Sequence, residues 1–156
     1  MTITGRSEQR LAKARQSLSG AAAAVMDAAA TDTLNETFSR IGSLDHLVLA
    51  FGSGKALGPF RSVSIANVRR GFEEKVYPHF AAAQASLPFL SKNGSITFIS
   101  AVSAHAASPG TVGIAAANAA VAMLVPILAA ELVNRRSTLT PHRRPILTPS
   151  CGGVWR

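Results

Sequence analysis

The sequence predicts an α/β protein in which a parallel sheet lies between layers of helices, a three-layer sandwich. Short apolar runs rich in β-branched residues alternate with longer segments of helical periodicity up to about residue 132. Each strand-like run is followed by a helix-like segment, the pattern of parallel βαβ units. At 156 residues with 47% hydrophobic content, the chain is long enough for one domain's core.

The first half of the chain supplies two predicted strands and two predicted helices. Residues 2–5 begin with a β-branched run and form the first strand, and residues 8–18 place leucines and alanines on one helical face. Residues 21–26 form a short buried strand. The next helix starts at about residue 31 and reaches Ile41. Its candidate caps are Thr31, Asp32 and Thr33.

The middle of the chain is predicted to contain a strand at residues 44–50 and a long helix at residues 65–90. Apolar residues recur near helical spacing along this helix, so it should pack on the sheet. Pro78 and Pro88 are expected to kink or end it, because proline lacks the backbone donor that an interior helical position needs.

Residues 94–132 hold an apolar strand, a small-residue loop and an alanine-rich helix. The turn Lys92-Asn93-Gly94 introduces a strand at residues 95–100, and the helix spans about residues 112–132. Ser100 then stands at a strand's carboxyl end, where open α/β sheets bind ligands. Its hydroxyl is either an active-site group or a partner for the loop backbone, and both interpretations stay open.

Composition bounds the compartment and the cofactor chemistry. The only cysteine, Cys151, has no internal disulfide partner and no companion ligands for a metal site, so we expect a cytoplasmic protein without a metal. The N-terminus lacks an apolar core of signal-peptide length. The most apolar stretch, residues 115–133, is interrupted by Asn118, Pro126 and Glu131, so we expect no membrane span.

The positive charge is concentrated at the C-terminus. Residues 1–133 carry 11 basic and 8 acidic residues, whereas residues 134–156 carry five arginines and no acid. Such a segment either binds a polyanion such as nucleic acid or is disordered. It has three prolines and no amphipathic period. We therefore predict a domain at residues 1–133 followed by a disordered basic tail, and no nucleic-acid partner.

The stretch from Gly94 to Leu132 resembles the short-chain dehydrogenase/reductases, in which a strand ending in serines precedes a helix with Tyr-x-x-x-Lys. The catalytic pattern is altered here. The family alignment places Ile114 at the tyrosine position and Asn118 at the lysine position. The family's serine falls on Ala101, with Ser100 beside it. The chain's single tyrosine has no lysine four residues later.

The resemblance also implies a cofactor site. The family's second strand ends in a similar Gly-Arg-Ser, and a basic residue there suits the 2′-phosphate of NADP, so Arg6 and Ser7 indicate NADP. Asp27 matches an aspartate near the adenine, or it simply closes a strand. The family's Asn-Asn-Ala-Gly site retains only its glycine, Gly52, with Ala50 at an asparagine position; the nearby backbone is expected to approach the ribose or nicotinamide.

A lysine replaces another family residue. The alignment places Lys75 where many members have an asparagine that holds a water of the proton relay. Lys75 is thus either a displaced ammonium that polarises a substrate carbonyl or cofactor ribose, facing the gap left by Asn118, or part of a solvated charge run with Arg69, Arg70 and Glu73.

Two parts of the family pattern have no counterpart in the sequence. One is the first strand with its glycine-rich turn, which cradles the pyrophosphate. In the family order 3-2-1-4-5 its loss leaves a Rossmann-like but incomplete parallel sheet, with a gap of about 4.8 Å between two halves. The other is the segment after Leu132, where no strand pattern is found. A reading-frame change near Asn134 would explain that departure.

Two functions follow from the resemblance. The first is an NADP-preferring carbonyl reductase or alcohol dehydrogenase acting on a small molecule, impaired by the missing tyrosine, in which Ser100 orients the carbonyl and Lys75 or Asn118 assists. The second is a catalytically inactive remnant that serves as a binding or interaction module. Its open sheet edges would pair with a second copy or another chain.

Overall fold

Strands and helices alternate along the chain in the predicted order. The computed structural model describes residues 1–132 and the backbone of residues 138–141. The elements are β1 (Thr2–Gly5), α1 (Glu8–Ser17), β2 (Ala22–Val25), α2 (Leu34–Ile41), β3 (Leu44–Leu49), α3 (Ile65–Ser86), β4 (Leu90–Phe98), α4 (Val112–Glu131) and β5 (Thr138–Pro141). The architecture is Rossmann-like α/β, as predicted.

The strands form two separate parallel sheets. β1 pairs with β2, with Thr2 opposite Ala22 and Gly5 opposite Val25. β4 lies between β3 and β5 and is parallel to both. Within the described residues no strand connects β1 with β3. The predicted break in the sheet is therefore present, and direct pairing of the two halves does not occur.

β4 is longer at its start than the sequence predicts. The strand begins at Leu90 rather than residue 95, and the expected turn at Lys92–Gly94 lies inside it. Leu44 pairs with Leu90 but His46 pairs with Ser95, so an irregularity in the register takes up the extra residues. A Cβ atom at position 94 would lie 2.7 Å from Cγ of Leu90, so the Leu90 side chain packs directly on the backbone of this glycine.

β5 corrects the expectation that no strand follows residue 133. After α4 the chain returns to the free edge of β4, where residues 138–141 pair with Ser95–Phe98. A β-branched Thr-Leu-Thr run meeting an open parallel edge explains this short strand. The remainder of the predicted disordered tail, residues 134–137 and 142–156, lies outside the described residues.

The main core lies between the β3–β4 pair and helices α2, α3 and α4. Its fully buried side chains include Leu34, Phe38, Ile96, Phe98 and Val121. The remaining helix, α1, packs on β1 and β2, with Leu11 against Gly5. On β4 the alternation of the strand turns Ile96 and Phe98 toward the helices.

One end of α3 and one end of α2 differ from the predictions that were based on prolines and on capping residues. α3 continues through Pro78 and ends at Ser86, before a 3-10 turn at Leu87–Phe89 that contains Pro88, which has no backbone N–H to continue the helix. α2 begins after a 3-10 turn, and its N-cap, Thr33, makes no side-chain cap hydrogen bond.

α4 is long and apolar enough to cross a membrane by length and composition, with a mean hydropathy of 2.1. In the fold it packs against α3, β4 and β5, and Ala117, Val121 and Val125 are buried. Core helices of α/β domains satisfy the same length and hydropathy test, so this observation is weak evidence for a membrane span.

Candidate active site

Lys75 lies at the carboxyl ends of two adjacent parallel strands. Its Nζ atom donates hydrogen bonds to the carbonyl oxygens of Phe51, at 3.1 Å, and Ile99, at 3.4 Å. Phe51 follows β3 by two residues and Ile99 directly follows β4. An ammonium therefore bridges the two strand ends at the edge where open α/β sheets bind ligands.

The environment of Lys75 contradicts its interpretation as part of a solvated charge run. The residue is 5% exposed, on the inner face of α3 with Gly71, Pro78 and Ala82. Burial lowers the pKa of Lys75 below its usual 10.5, because desolvation disfavours the charged ammonium. Two carbonyl acceptors oppose that effect by holding the protonated form. An ammonium has three N–H donors, so these two bonds leave one donor for a ligand.

A serine–asparagine group lies beside this ammonium. The Ser100 hydroxyl donates to the backbone carbonyl oxygen of Asn118 at 2.8 Å, and Asn118 Nδ2 donates to the Ser103 hydroxyl at 2.9 Å. Asn118 is 1% exposed and its Oδ1 atom has no hydrogen-bond partner. Lys75 and Asn118 thus reach the consecutive residues Ile99 and Ser100, which brings the three predicted catalytic residues to one place.

The position of Ser100 fits both interpretations of its hydroxyl. β4 ends at Phe98, so Ser100 lies two residues beyond the strand rather than at its last position. Its proton is used by a backbone carbonyl of α4, whereas the backbone interpretation expected a partner in the loop. The oxygen keeps acceptor capacity toward a ligand hydroxyl.

The proton donor expected by family resemblance is absent from this place. Ile114, at the tyrosine position, is half-buried and has no titratable group. Tyr77 lies on the outside of α3 and is 60% exposed. The described part of the chain therefore supplies an ammonium and hydroxyls but no tyrosine at the strand ends.

The β3–α3 loop, residues 50–64, is fixed by two short hydrogen bonds, one to the residue before Lys75 on α3 and one to the loop between β4 and α4. Ser53 donates to the Glu74 carboxylate at 2.7 Å, and the Gly58 amide donates to the Gly110 carbonyl at 2.8 Å. Ala50 and Gly52, the residues predicted near the nicotinamide ribose, are both exposed. A Cβ atom at Gly52 would meet nothing within 4 Å, so the backbone there is open to a ligand.

The other predicted cofactor residues gather at the carboxyl ends of β1 and β2. Arg6 is exposed directly after β1, and Ser7 caps α1 by accepting from the Arg10 amide at 3.3 Å. Asp27 accepts from the Ala29 amide at 3.0 Å, which agrees with a residue closing a strand and leaves its second oxygen open. The Met26 amide donates to the Gly5 carbonyl, so the two strand ends adjoin.

Arg6, Ser7 and Asp27 thus lie at one sheet edge, where the resemblance places the adenosine end of a cofactor. Residues 1–132 contain no glycine-rich strand–helix turn to hold the pyrophosphate. In the described residues no three His, Cys, Asp or Glu side chains lie close enough to hold a metal ion.

His79 is the buried residue near Lys75 that sequence analysis overlooked. It is 0% exposed, and its two ring nitrogens contact the backbone carbonyls of Lys75 and Leu49. The spacing of four residues from Lys75 places both on one helical face, and this was the available signal.

Residues 1–139 match the family profile described as "Enoyl-(Acyl carrier protein) reductase". The match reaches beyond Leu132, where the resemblance in sequence motifs stops. No curated protein matches the chain.

Solved structures share the fold. A short-chain dehydrogenase/reductase from Vibrio parahaemolyticus superposes with a TM-score of 0.80 at 18% identity, over 90% of this chain and 69% of that one. One from Serratia marcescens gives 0.79 at 22% identity, over 90% and 61%. One from Streptomyces avermitilis gives 0.78 at 22%, over 90% and 54%. The chain thus spans less than two thirds of the latter two structures.

Proposed function

The chain belongs to the short-chain dehydrogenase/reductase family, and from this we propose that it is an NADP-preferring oxidoreductase that interconverts small-molecule carbonyls and alcohols. The single observation that best supports the proposal is the Lys75 ammonium at the carboxyl ends of β3 and β4, with one donor left for a ligand oxygen. In this proposal Lys75 of α3, rather than the family's tyrosine, supplies the electrophilic group.

The proposed roles follow from the geometry of the residues. The free N–H of Lys75 donates to the carbonyl oxygen of the substrate and stabilises the negative charge that develops there. Ser100 is proposed to orient the substrate through its hydroxyl. In the structure its proton goes to the Asn118 carbonyl oxygen, so its own oxygen accepts from the alcohol form of the substrate, and it donates to the carbonyl form only by leaving Asn118. Asn118 fixes Ser100 and Ser103 from α4 and completes the polar lining.

Arg6 and Ser7 are proposed to bind the 2′-phosphate of NADP, Asp27 the adenine, and the backbone at Ala50 and Gly52 the nicotinamide ribose. When bound, the reduced cofactor supplies the hydride. Because no glycine-rich turn is found in residues 1–132, we expect weak binding that depends mainly on the adenosine end.

Turnover is expected to be slow. Positioned proton transfer contributes about 10²–10⁴-fold to the rate of an enzyme, and the tyrosine that supplies it in the family is replaced by Ile114. Lys75 is available to return a proton to the alkoxide because its pKa is lowered by burial.

A second candidate function is a catalytically silent interaction module. The observation that favours it is that the two edges facing the break in the sheet are open, since within the described residues β1 and β3 each pair with a strand on one side only. Unpaired parallel edges bind further strands, so a homo-oligomer is the partner we propose in that case. For either function we propose a cytoplasmic location, on the basis of the single cysteine.

The test is reduction of small aldehydes and ketones by NADPH, followed by the loss of nicotinamide absorbance. The wild type is expected to turn over slowly, and Lys75→Met to lose that activity. Lys55→Met removes an exposed lysine from the same region and is expected to leave the rate unchanged. Equal activity in Lys75→Met and the wild type would reject the role of the ammonium. Complete inactivity of the wild type with every carbonyl would favour the interaction module.

A further inference from the structure

His79 occupies a fully buried position one helical turn after Lys75. Its Nδ1 atom lies 2.6 Å from the carbonyl oxygen of Lys75, and its Nε2 atom lies 3.2 Å from that of Leu49, the last residue of β3. The ring stacks on Phe98 with a centroid distance of 6.0 Å. It also meets the Phe51 ring edge-on, with centroids 5.1 Å apart.

These contacts involve both residues of the Lys75–Phe51 hydrogen bond. The imidazole binds the backbone of the donor residue through Nδ1, and it packs against the side chain of the acceptor residue. The Nε2 contact ties α3 to Leu49, two residues before Phe51. A displacement of the ring would therefore move the ammonium and its carbonyl acceptor relative to one another.

We infer that His79 is a positioning residue that holds the Lys75 ammonium against the Phe51 and Ile99 carbonyls, so that its third N–H points to the substrate oxygen. The inference rests on the proposed function, in which that ammonium stabilises the developing alkoxide. His79 itself contacts no ligand in this scheme. Its buried ring acts through the backbone of Lys75 and the ring of Phe51.

The ring does this without adding a second positive charge. Burial lowers the pKa of His79 below 6.5, the nearby Lys75 ammonium lowers it further, and the carbonyls of Lys75 and Leu49 oppose the shift. At neutral pH the imidazole is uncharged and has one N–H to donate. Both ring nitrogens face a carbonyl oxygen, so this one proton is on Nδ1 toward Lys75 or on Nε2 toward Leu49.

The test uses the titration of Lys75, followed by NMR of ¹³Cε-labelled lysine. The chain has four lysines, and Lys13, Lys55 and Lys92 are exposed, so the spectrum is simple. Loss of one signal in Lys75→Met assigns the buried residue. In the wild type, Lys75 is expected to titrate at lower pH than the other three.

Three substitutions separate the two kinds of contact that His79 makes. His79→Leu loses the hydrogen bonds and the aromatic edge, and it is expected to move the Lys75 titration toward that of the exposed lysines. His79→Phe keeps the ring contact, and His79→Gln keeps an amide donor, so each is expected to move it less. A partial rescue by His79→Gln, which restores a donor but no ring, is a result that a loss of packing alone does not produce.

The matched control is Ser86→Ala. Ser86 is also fully buried on α3, where it donates to the Ala83 carbonyl at 2.7 Å, more than two turns from Lys75. This variant is expected to lose stability while the Lys75 titration stays at its wild-type position. A similar Lys75 shift in Ser86→Ala and His79→Leu would overturn the inference, because it would show general loosening of α3.

The outcomes remain decisive if His79→Leu does not fold. In that case His79→Phe and His79→Gln are expected to give intermediate shifts, and wild-type titration in both would reject the positioning role. The proposed function is judged separately by carbonyl reduction. If the wild type is inactive while the His79 variants still shift the titration of Lys75, the positioning of the ammonium holds and the proposed reaction fails.

Discussion

A Cβ atom on Gly71 would lie 2.6 Å from the Cβ of Ala56, so α3 and the β3–α3 loop touch where neither has room for another atom. Ala56 is 0% exposed and also meets Gly113 at the start of α4, where an added Cβ would lie 2.8 Å from the Ala56 carbonyl oxygen. Gly71 of α3 and Gly113 of α4 therefore both pack against Ala56, in the loop that also contains Phe51 and Gly52.

Gly71→Ala should destabilise the protein despite the higher helix propensity of alanine. Insertion of a methyl group into a closely packed contact costs about 1–3 kcal/mol. Chemical denaturation measures the loss. Gly54→Ala is the matched control, since a Cβ there meets nothing within 4 Å. Equal stability of the two variants would mean that the loop moves away freely, contrary to the close contact.

Comparison of the wild type with Lys75→Met measures how the buried ammonium changes the free energy of unfolding at each pH. Because the folded-state pKa is lowered, the folded protein loses its proton at lower pH than the unfolded chain. The stability of the wild type relative to Lys75→Met should therefore rise with pH across the alkaline range up to about 10.5. Denaturation of both proteins at several pH values measures this slope.

The exposed residue Lys55 supplies the control for that experiment. Lys55→Met removes one lysine from an exposed site and so controls for the loss of a positive charge. A flat difference for Lys75→Met would show that burial does not change the protonation of Lys75.

Acidification should destabilise the protein through His79. The pKa of His79 is lowered in the folded state. Between pH 6.5 and that lower pKa, the unfolded chain therefore binds a proton that the folded chain does not bind. Stability falls as the pH drops from 6.5 toward the folded-state pKa. The matched variant His79→Phe keeps an aromatic ring and should lose this component of the acid sensitivity. His105→Phe, at an exposed site, controls for the replacement of a histidine by phenylalanine.

The sequence correctly predicts the strands and helices whose local sequence signals agree with their tertiary contacts. The first strand is predicted at its observed bounds, because a β-branched run meets a glycine there. β4 was predicted too short at its start, since Lys92-Asn93-Gly94 is a strong turn signal and only pairing with β3 draws it into a strand. β5 depends on a free edge of β4, which is a tertiary feature that a four-residue segment does not reveal.

For the site, the alignment of residues with family positions was more informative than the charge pattern. It placed Lys75 and Asn118 together, and the structure connects them through Ile99 and Ser100. The charged residues before Lys75 suggested a solvated helix face. In the structure Arg69, Arg70 and Glu73 are exposed, whereas Lys75 lies on the inner face of α3. His79 was missed because a single histidine on an apolar face carries no motif, and its importance lies in backbone carbonyls that no sequence pattern shows.

Arg6→Ala tests the proposed adenosine end of the cofactor site. Arg6 is exposed at the carboxyl end of β1, near Ser7 and the open oxygen of Asp27. A charge-assisted hydrogen bond to the 2′-phosphate should make NADPH bind about tenfold or more tightly than NADH, and the variant should lose that preference. Calorimetry with both nucleotides measures it. Lys13→Ala removes an exposed charge from α1 and should keep the preference. If Arg6→Ala discriminates between the nucleotides as well as the wild type does, the 2′-phosphate binds elsewhere.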